Sequence, residues 1–331
     1  MKLTRGSALG LVLILAGSVS FVRGDDKKSD IDQIGNRKVA HRAMISQEKE
    51  IGIGKQYSSE IDKTAKLITD PVINEYVNRV AQNLARNSDL TIPLTVKVID
   101  APGINAFALP GGFLYVNSGL LQTADEESQI AGVMGHEIAH VAARHWASQM
   151  TKQTIAQYAM LPLLFIPMGY GVYYGVMEAY MNGVPLMFLK FSRNDEAEAD
   201  YLGLQYMVKA GYDPYCYVTI FSKVLDEERR APGSVPKIFL DHPPTPDRML
   251  LLDQEMKAFP KRDQYLVSTS EFDDVKARLN MLISNRKKEK QQDGPTLKKR
   301  ESTEKTSTTQ PADQKTTDSN DAPPVLRRRD Q

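Results

Sequence analysis

The sequence predicts an α+β fold, predominantly helical, with a small sheet and hairpin beside one central helix. Three observations predict it. Apolar residues recur at helical spacing in several separate segments. One alternating run, followed by two short apolar runs joined through Pro110-Gly111-Gly112, supplies the few strands. Between these strands and the later helices lies His136-Glu137-Ile138-Ala139-His140, set in an apolar stretch of helical period.

The chain has 331 residues, enough for one large domain with appendages. Lys2 and Arg5 precede an apolar run from Ala8 to Ala16, and no acid occurs before Asp25. Residues 1–24 therefore read as a secretory signal peptide with Val22-Arg23-Gly24 at the cleavage site, an uncleaved membrane anchor being the alternative. Residues 25–46 read as a linker, 47–284 as the folded domain and 285–331 as a disordered basic tail too poor in apolar residues to offset its ordering entropy. The net charge of +1 divides into +3 over 1–24, −6 over 25–284 and +4 over the tail. A mildly acidic domain excludes nucleic acid as the expected partner, while Arg327-Arg328-Arg329 leaves contact with a membrane surface open. Cys216 is the only cysteine, so internal disulfides and thiolate metal sites are excluded, which fits an exported protein of a bacterial periplasm or a reducing compartment. No feature fixes an oligomeric state.

Core helices are expected from Gln47 to Leu67 and from Pro71 to Arg86, the second with Asp70 as N-cap and Pro71 in its first turn. Leu94 to Asp100 alternates as a strand, and Asn105 to Leu109 pairs with Phe113 to Val116 as a hairpin. Thr123 and Glu126 form a capping box for a helix expected to run to about Gln149. The apolar stretch from Met160 to Met177 is broken by prolines and glycines and reads as a loop or broken helix, a transmembrane span being the alternative. A helix opens after Ser192 and closes at Gly211, another follows Asp213-Pro214, and Thr245 caps a further one. A last helix spans Ser270 to Ile283.

The chemistry lies on the central helix. His136 and His140, four apart, share one face and can grip a single Zn²⁺, one per chain, while Glu137 lies beside them as a general base. A catalytic zinc usually has three protein ligands and an open position. The continuation that would supply a third histidine from the same helix fails, because Ala143 and Trp146 occupy the glycine and histidine positions. His41 lies in a polar segment with nothing to recommend it. A carboxylate from a second helix remains: Glu196 as ligand, with Asp200 one turn later accepting a hydrogen bond from a ligand histidine.

Four motifs in this order carry a resemblance: the zinc helix, Ser192-Arg193-x-x-Glu196-x-x-x-Asp200, Asn105-Ala106-Phe107-Ala108-x-Pro110-Gly111-Gly112, and His242-Pro243-Pro244-Thr245-Pro246-Asp247-Arg248. Over about Glu48 to Met256 the chain resembles metallopeptidase family 48, the gluzincins of the CAAX prenyl protease and HtpX type. The resemblance implies a gluzincin fold and a zinc endopeptidase acting on polypeptide substrates, here unfolded or misassembled envelope proteins. It implies further that His242 and Arg248 face the reacting carbonyl, or that His242 occupies the open zinc position at rest. The sequence lacks the several membrane helices and the helical-repeat domain of relatives, so a soluble, minimal member is expected. The small and apolar residues at Asn105, Ala106, Phe107 and Ala108 suit an exposed strand edge that binds substrate by pairing. A zinc-stabilised periplasmic chaperone or assembly factor with little proteolysis, or a hydrolase of non-peptide substrates, remains open.

Overall fold

The computed structural model describes residues 31–160, 174, 191–230, 242, 246–259 and 265–292. The segment expected to be a signal peptide, the apolar stretch after Met160 apart from Tyr174, the prolines at 243 and 244 with Thr245, and the tail beyond residue 292 lie outside the described residues. The chain divides into two compact units, 1–286 and 287–331.

Helix α1 spans Gln47–Thr64 and α2 spans Pro71–Arg86. Asp70 caps α2 by accepting from the N–H groups of Val72 and Ile73, which supplies partners that the first helical turn lacks. Strands β1 (Thr95–Ile99), β2 (Ala106–Leu109) and β3 (Phe113–Asn117) form a sheet in the order β1-β3-β2. The β1–β3 pair is parallel and the β2–β3 pair is the expected hairpin, with Ala106 opposite Val116 and Leu109 opposite Phe113. Its turn needs Gly111 and Gly112, both left-handed at φ 78° and 87°. On one face of the sheet lies the main core, in which Leu84 of α2 and Leu114 of β3 are fully buried. A smaller cluster of Ile99, Leu109 and Tyr115 is packed by Phe107, Phe113 and residues of α1.

A short helix α3 (Ser118–Thr123) then leads to α4 (Glu127–Ala142), every residue of which is buried. Two expectations for this region need correction. Thr123 ends α3 instead of capping α4, and the N-cap position of α4, Glu126, makes no side-chain capping bond. Nor does the helix run on to Gln149. It stops at Ala142, and Arg144, at φ 56°, turns the chain into a new helix, α5 (His145–Met160). A left-handed arginine costs about 1–2 kcal/mol. Arg144 is held there by its Nε donating to Glu50 Oε2 at 2.8 Å and its Nη2 donating to the carbonyl of Ile45 at 3.0 Å.

Helix α6 (Arg193–Ala210) starts at a capping box in which Ser192 Oγ accepts from Asp195 N–H while Asp195 accepts from Ser192 N–H, and ends at Gly211, φ 89°. Helices α7 (Tyr215–Arg230), α8 (Pro246–Ala258) and α9 (Ser270–Gln292) follow. The last runs nine residues past Ile283, so the start of the segment assigned to a disordered tail is helical. Residues 31–46 are likewise more than a linker: Ile34 and Val39 are buried, and Arg37 donates to Asp89 from the same segment. Among the described residues no helix is long and apolar enough to cross a membrane.

Candidate active site

Helices α4 and α6 cross almost backbone to backbone. A methyl group on Gly203 of α6 would lie 3.0 Å from the amide nitrogen of His136, and one on Gly135 of α4 would lie 3.3 Å from the carbonyl oxygen of Gly203. Small residues at both positions therefore set the separation of the helices. At the crossing, His136 and His140 from α4 meet Glu196, in the first turn of α6, and His242.

All four residues are buried, and a donor atom from each lies within 4.8 Å of the others. His136 Nε2 is 3.0 Å from His140 Nε2, 3.6 Å from Glu196 Oε2 and 3.4 Å from His242 Nδ1. His140 Nε2 is 3.6 Å from Glu196 Oε1, and His242 Nδ1 is 2.7 Å from the same oxygen. Ligands around a tetrahedral zinc with bonds near 2.1 Å stand about 3.4 Å apart, so this nitrogen and oxygen set fits such an ion. Burial holds the pKa of His140 well below its usual value, which keeps its imidazole neutral and available.

Glu137 lies beside the cluster. Its Oε2 accepts from the backbone N–H of Ala108 at 3.0 Å, whereas Oε1 is buried with no hydrogen-bond partner and stands 3.9 Å from His242 Nε2. An unpaired buried carboxylate oxygen is costly. It fits a position prepared for a proton or a water. Burial raises the pKa of Glu137, with the nearby histidines opposing. For His242 burial pulls the other way, but the carboxylates of Glu137 and Glu196 bring its pKa up to about 9.

Asp200, one turn after Glu196, puts Oδ1 3.0 Å from His136 Nδ1 and accepts from Tyr217 Oη at 2.8 Å. Arg248 joins the cluster through its guanidinium. Its Nε and Nη2 fork onto Asp200 at 2.7 and 2.6 Å, and its Nη1 lies 2.9 Å from Glu196 Oε2 and donates to the carbonyl oxygen of His242. Burial would raise the pKa of Asp200, yet His136 and this guanidinium hold it far below the usual carboxylate range.

Strand β2 pairs with β3 on one side, and the Ala108 N–H goes to Glu137 instead of to the sheet. Of the residues singled out there, Ala106 and Asn105 are buried, the carbonyl of Asn105 accepting from Asn117 N–H, and the ring of Phe107 stacks on Tyr115. A shallow recess next to the histidine and glutamate cluster is lined by Ala108, Leu109, Pro110, His140, Trp146 and Phe191.

The sequence reading missed a second group. His41 Nε2 is 2.6 Å from Glu198 Oε2, His145 Nε2 is 3.4 Å from the same oxygen, and His145 Nδ1 is 3.0 Å from His140 Nδ1. The one local signal was an acid between two alanines on α6, Ala197-Glu198-Ala199.

The sequence profile of peptidase family M48 matches residues 71–256. The chain is 34% identical over 226 residues to a putative beta-barrel assembly-enhancing protease of Vibrio cholerae, covering 66% of this chain and 46% of that protein. It is 31% identical over 255 residues to the beta-barrel assembly-enhancing protease of Escherichia coli, covering 74% and 51%. It is 39% identical over 131 residues to the mitochondrial metalloendopeptidase OMA1 of Arabidopsis thaliana, covering 39% of this chain and 25% of that one. The chain thus spans about half the length of the bacterial relatives it matches.

Proposed function

Because the chain belongs to peptidase family M48, we propose that it is a zinc-dependent endopeptidase that hydrolyses peptide bonds of unfolded or misassembled envelope proteins in the periplasm. The observation that carries this is Glu137, with one oxygen anchored and the other unpaired beside three convergent ligand side chains. His136, His140 and Glu196 would hold one Zn²⁺, which when bound supplies a Lewis acid that acidifies water and polarises the scissile carbonyl. Glu137 takes the proton of the attacking water at Oε1, and its Oε2, fixed by Ala108, keeps the carboxylate from turning away. A raised pKa suits it to hold that proton until the leaving amine receives it.

Asp200 orients His136, and Arg248 holds Asp200 and Glu196 together. His242 is the group left to donate to the developing oxyanion, and its place among the ligand atoms also suits it to close the fourth metal position at rest. An extended substrate would lie along the partly exposed end of β2, at Phe107 and Ala108. The relatives named for enhancing β-barrel assembly support unfolded barrel precursors as substrates, since such chains offer extended backbone to this edge.

Casein cleavage tests the reading. The purified chain should carry one zinc and cut casein at internal bonds, and Glu196→Ala should lose both metal and cleavage. Full zinc retention in Glu196→Ala would reject the ligand set. The role of His242 is separable, for His242→Ala should keep zinc while kcat falls by about tenfold to a thousandfold. If the residue also closes the metal at rest, small zinc-directed inhibitors should bind the variant faster; normal kcat with unchanged inhibitor binding would remove His242 from the mechanism.

A further inference from the structure

We propose that His41, His145 and Glu198 form a second divalent-cation site, of zinc chemistry, whose filling opposes filling of the first. The three side chains come from the segment before α1, the first residue of α5 and α6, and their donor atoms lie within 4.8 Å of one another. Two imidazoles and a carboxylate are a donor set that zinc accepts. The assembly is built: the His41 N–H donates to the carbonyl of Ala143 at 2.9 Å, and the left-handed Arg144 turns His145 inward, where its side chain is fully buried. His41 and Glu198 are 30% and 21% exposed, which leaves one side open for an ion and its remaining waters to enter.

The opposition rests on His140 being a ligand of the first site, and it follows from one shared proton. His140 Nδ1 and His145 Nδ1 face each other at 3.0 Å, so between two neutral rings one must donate and the other accept. When His140 Nε2 binds a metal, its proton sits on Nδ1 and is donated to His145, whose own proton then lies on Nε2 and points to Glu198. When His145 Nε2 binds a cation, its proton moves to Nδ1 and His140 must accept, which leaves the His140 proton on Nε2 and removes that nitrogen from coordination. Each site thus demands the opposite tautomer of this pair. The second site is a brake at excess zinc.

Equilibrium dialysis of the tag-free full chain across a chelator-buffered Zn²⁺ series reads this directly. The wild type should bind two equivalents, the second more weakly. In His41→Ala and in the near-isosteric Glu198→Gln, affinity for the second equivalent should fall by about 10- to 100-fold with unchanged circular dichroism, and in Glu196→Ala, which empties the first site, the remaining equivalent should bind more tightly than the second equivalent of the wild type. Casein cleavage by His41→Ala and Glu198→Gln should also resist inhibition at excess zinc. A wild type that stops at one equivalent, or a second equivalent unaltered in both variants, would overturn the site. A remaining equivalent in Glu196→Ala that binds no more tightly than the wild type's second would overturn the opposition. Failure of the catalytic ligand set shows up elsewhere, as the tight first equivalent retained in Glu196→Ala, and leaves the dependence of the second equivalent on His41 intact.

Discussion

Glu255, on α8, shows how a single carboxyl group near the site registers its surroundings. Its Oε2 is buried without a hydrogen-bond partner, and burial, with the negative charge of Asp200 adding, raises its pKa from the usual 4.5 to about 8. The folded chain therefore keeps a proton that the unfolded chain has already released, so this group's contribution to stability is complete below about pH 4.5 and is lost as pH rises through about 8. Glu255→Gln should flatten that decline: urea midpoints at about pH 5 and about pH 9 should differ less in the variant than in wild type. An equal difference in both would mean that Glu255 titrates normally. That His136 and His140 share one face of α4 was legible because four-residue spacing on a helix is a local property. The contacts of Arg248 were not legible, since its fork onto Asp200 depends on where α8 packs against α6.

Among elements, the α4–α6 crossing sets the geometry of the site. Gly203 lies where any side chain would press on the backbone of His136 and Gly135. Gly203→Val should destabilise the chain by about 1–3 kcal/mol and weaken zinc binding together, because spreading the helices moves Glu196 away from His136. Chemical denaturation and metal dialysis check both; a variant unchanged in stability and affinity would show that the helices tolerate a wider spacing. Most elements could be read locally: Asp70-Pro71, Pro110-Gly111-Gly112, Ser192 with Asp195, and Gly211 each carry a start, turn or stop signal. The end of α4 carries none. Nothing near Arg144 in the sequence favours a left-handed residue, and its conformation depends on Glu50 and Ile45, both about a hundred residues earlier. In an unbroken helix, moreover, His145 would stand about 140° round from His140, so its contact with that ring could not be inferred without the corner.

At the scale of the whole molecule, the sheet, α4, α6 and α8 bring together four sequence motifs spread over more than a hundred residues, and their order made the family legible before any geometry. Packing of the N-terminal segment was not legible, because His41 reaches Glu198 across 157 positions and a polar stretch gives no periodic signal. In the proposed mechanism Glu137 takes the proton of the attacking water at a zinc held by its neighbours. The rate of casein cleavage by Glu137→Gln, measured at full zinc occupancy, tests it most directly. The amide cannot accept that proton, so the rate should fall by about 10²- to 10⁴-fold with metal content and melting temperature unchanged. Cleavage at the wild-type rate by the zinc-loaded variant would contradict the account.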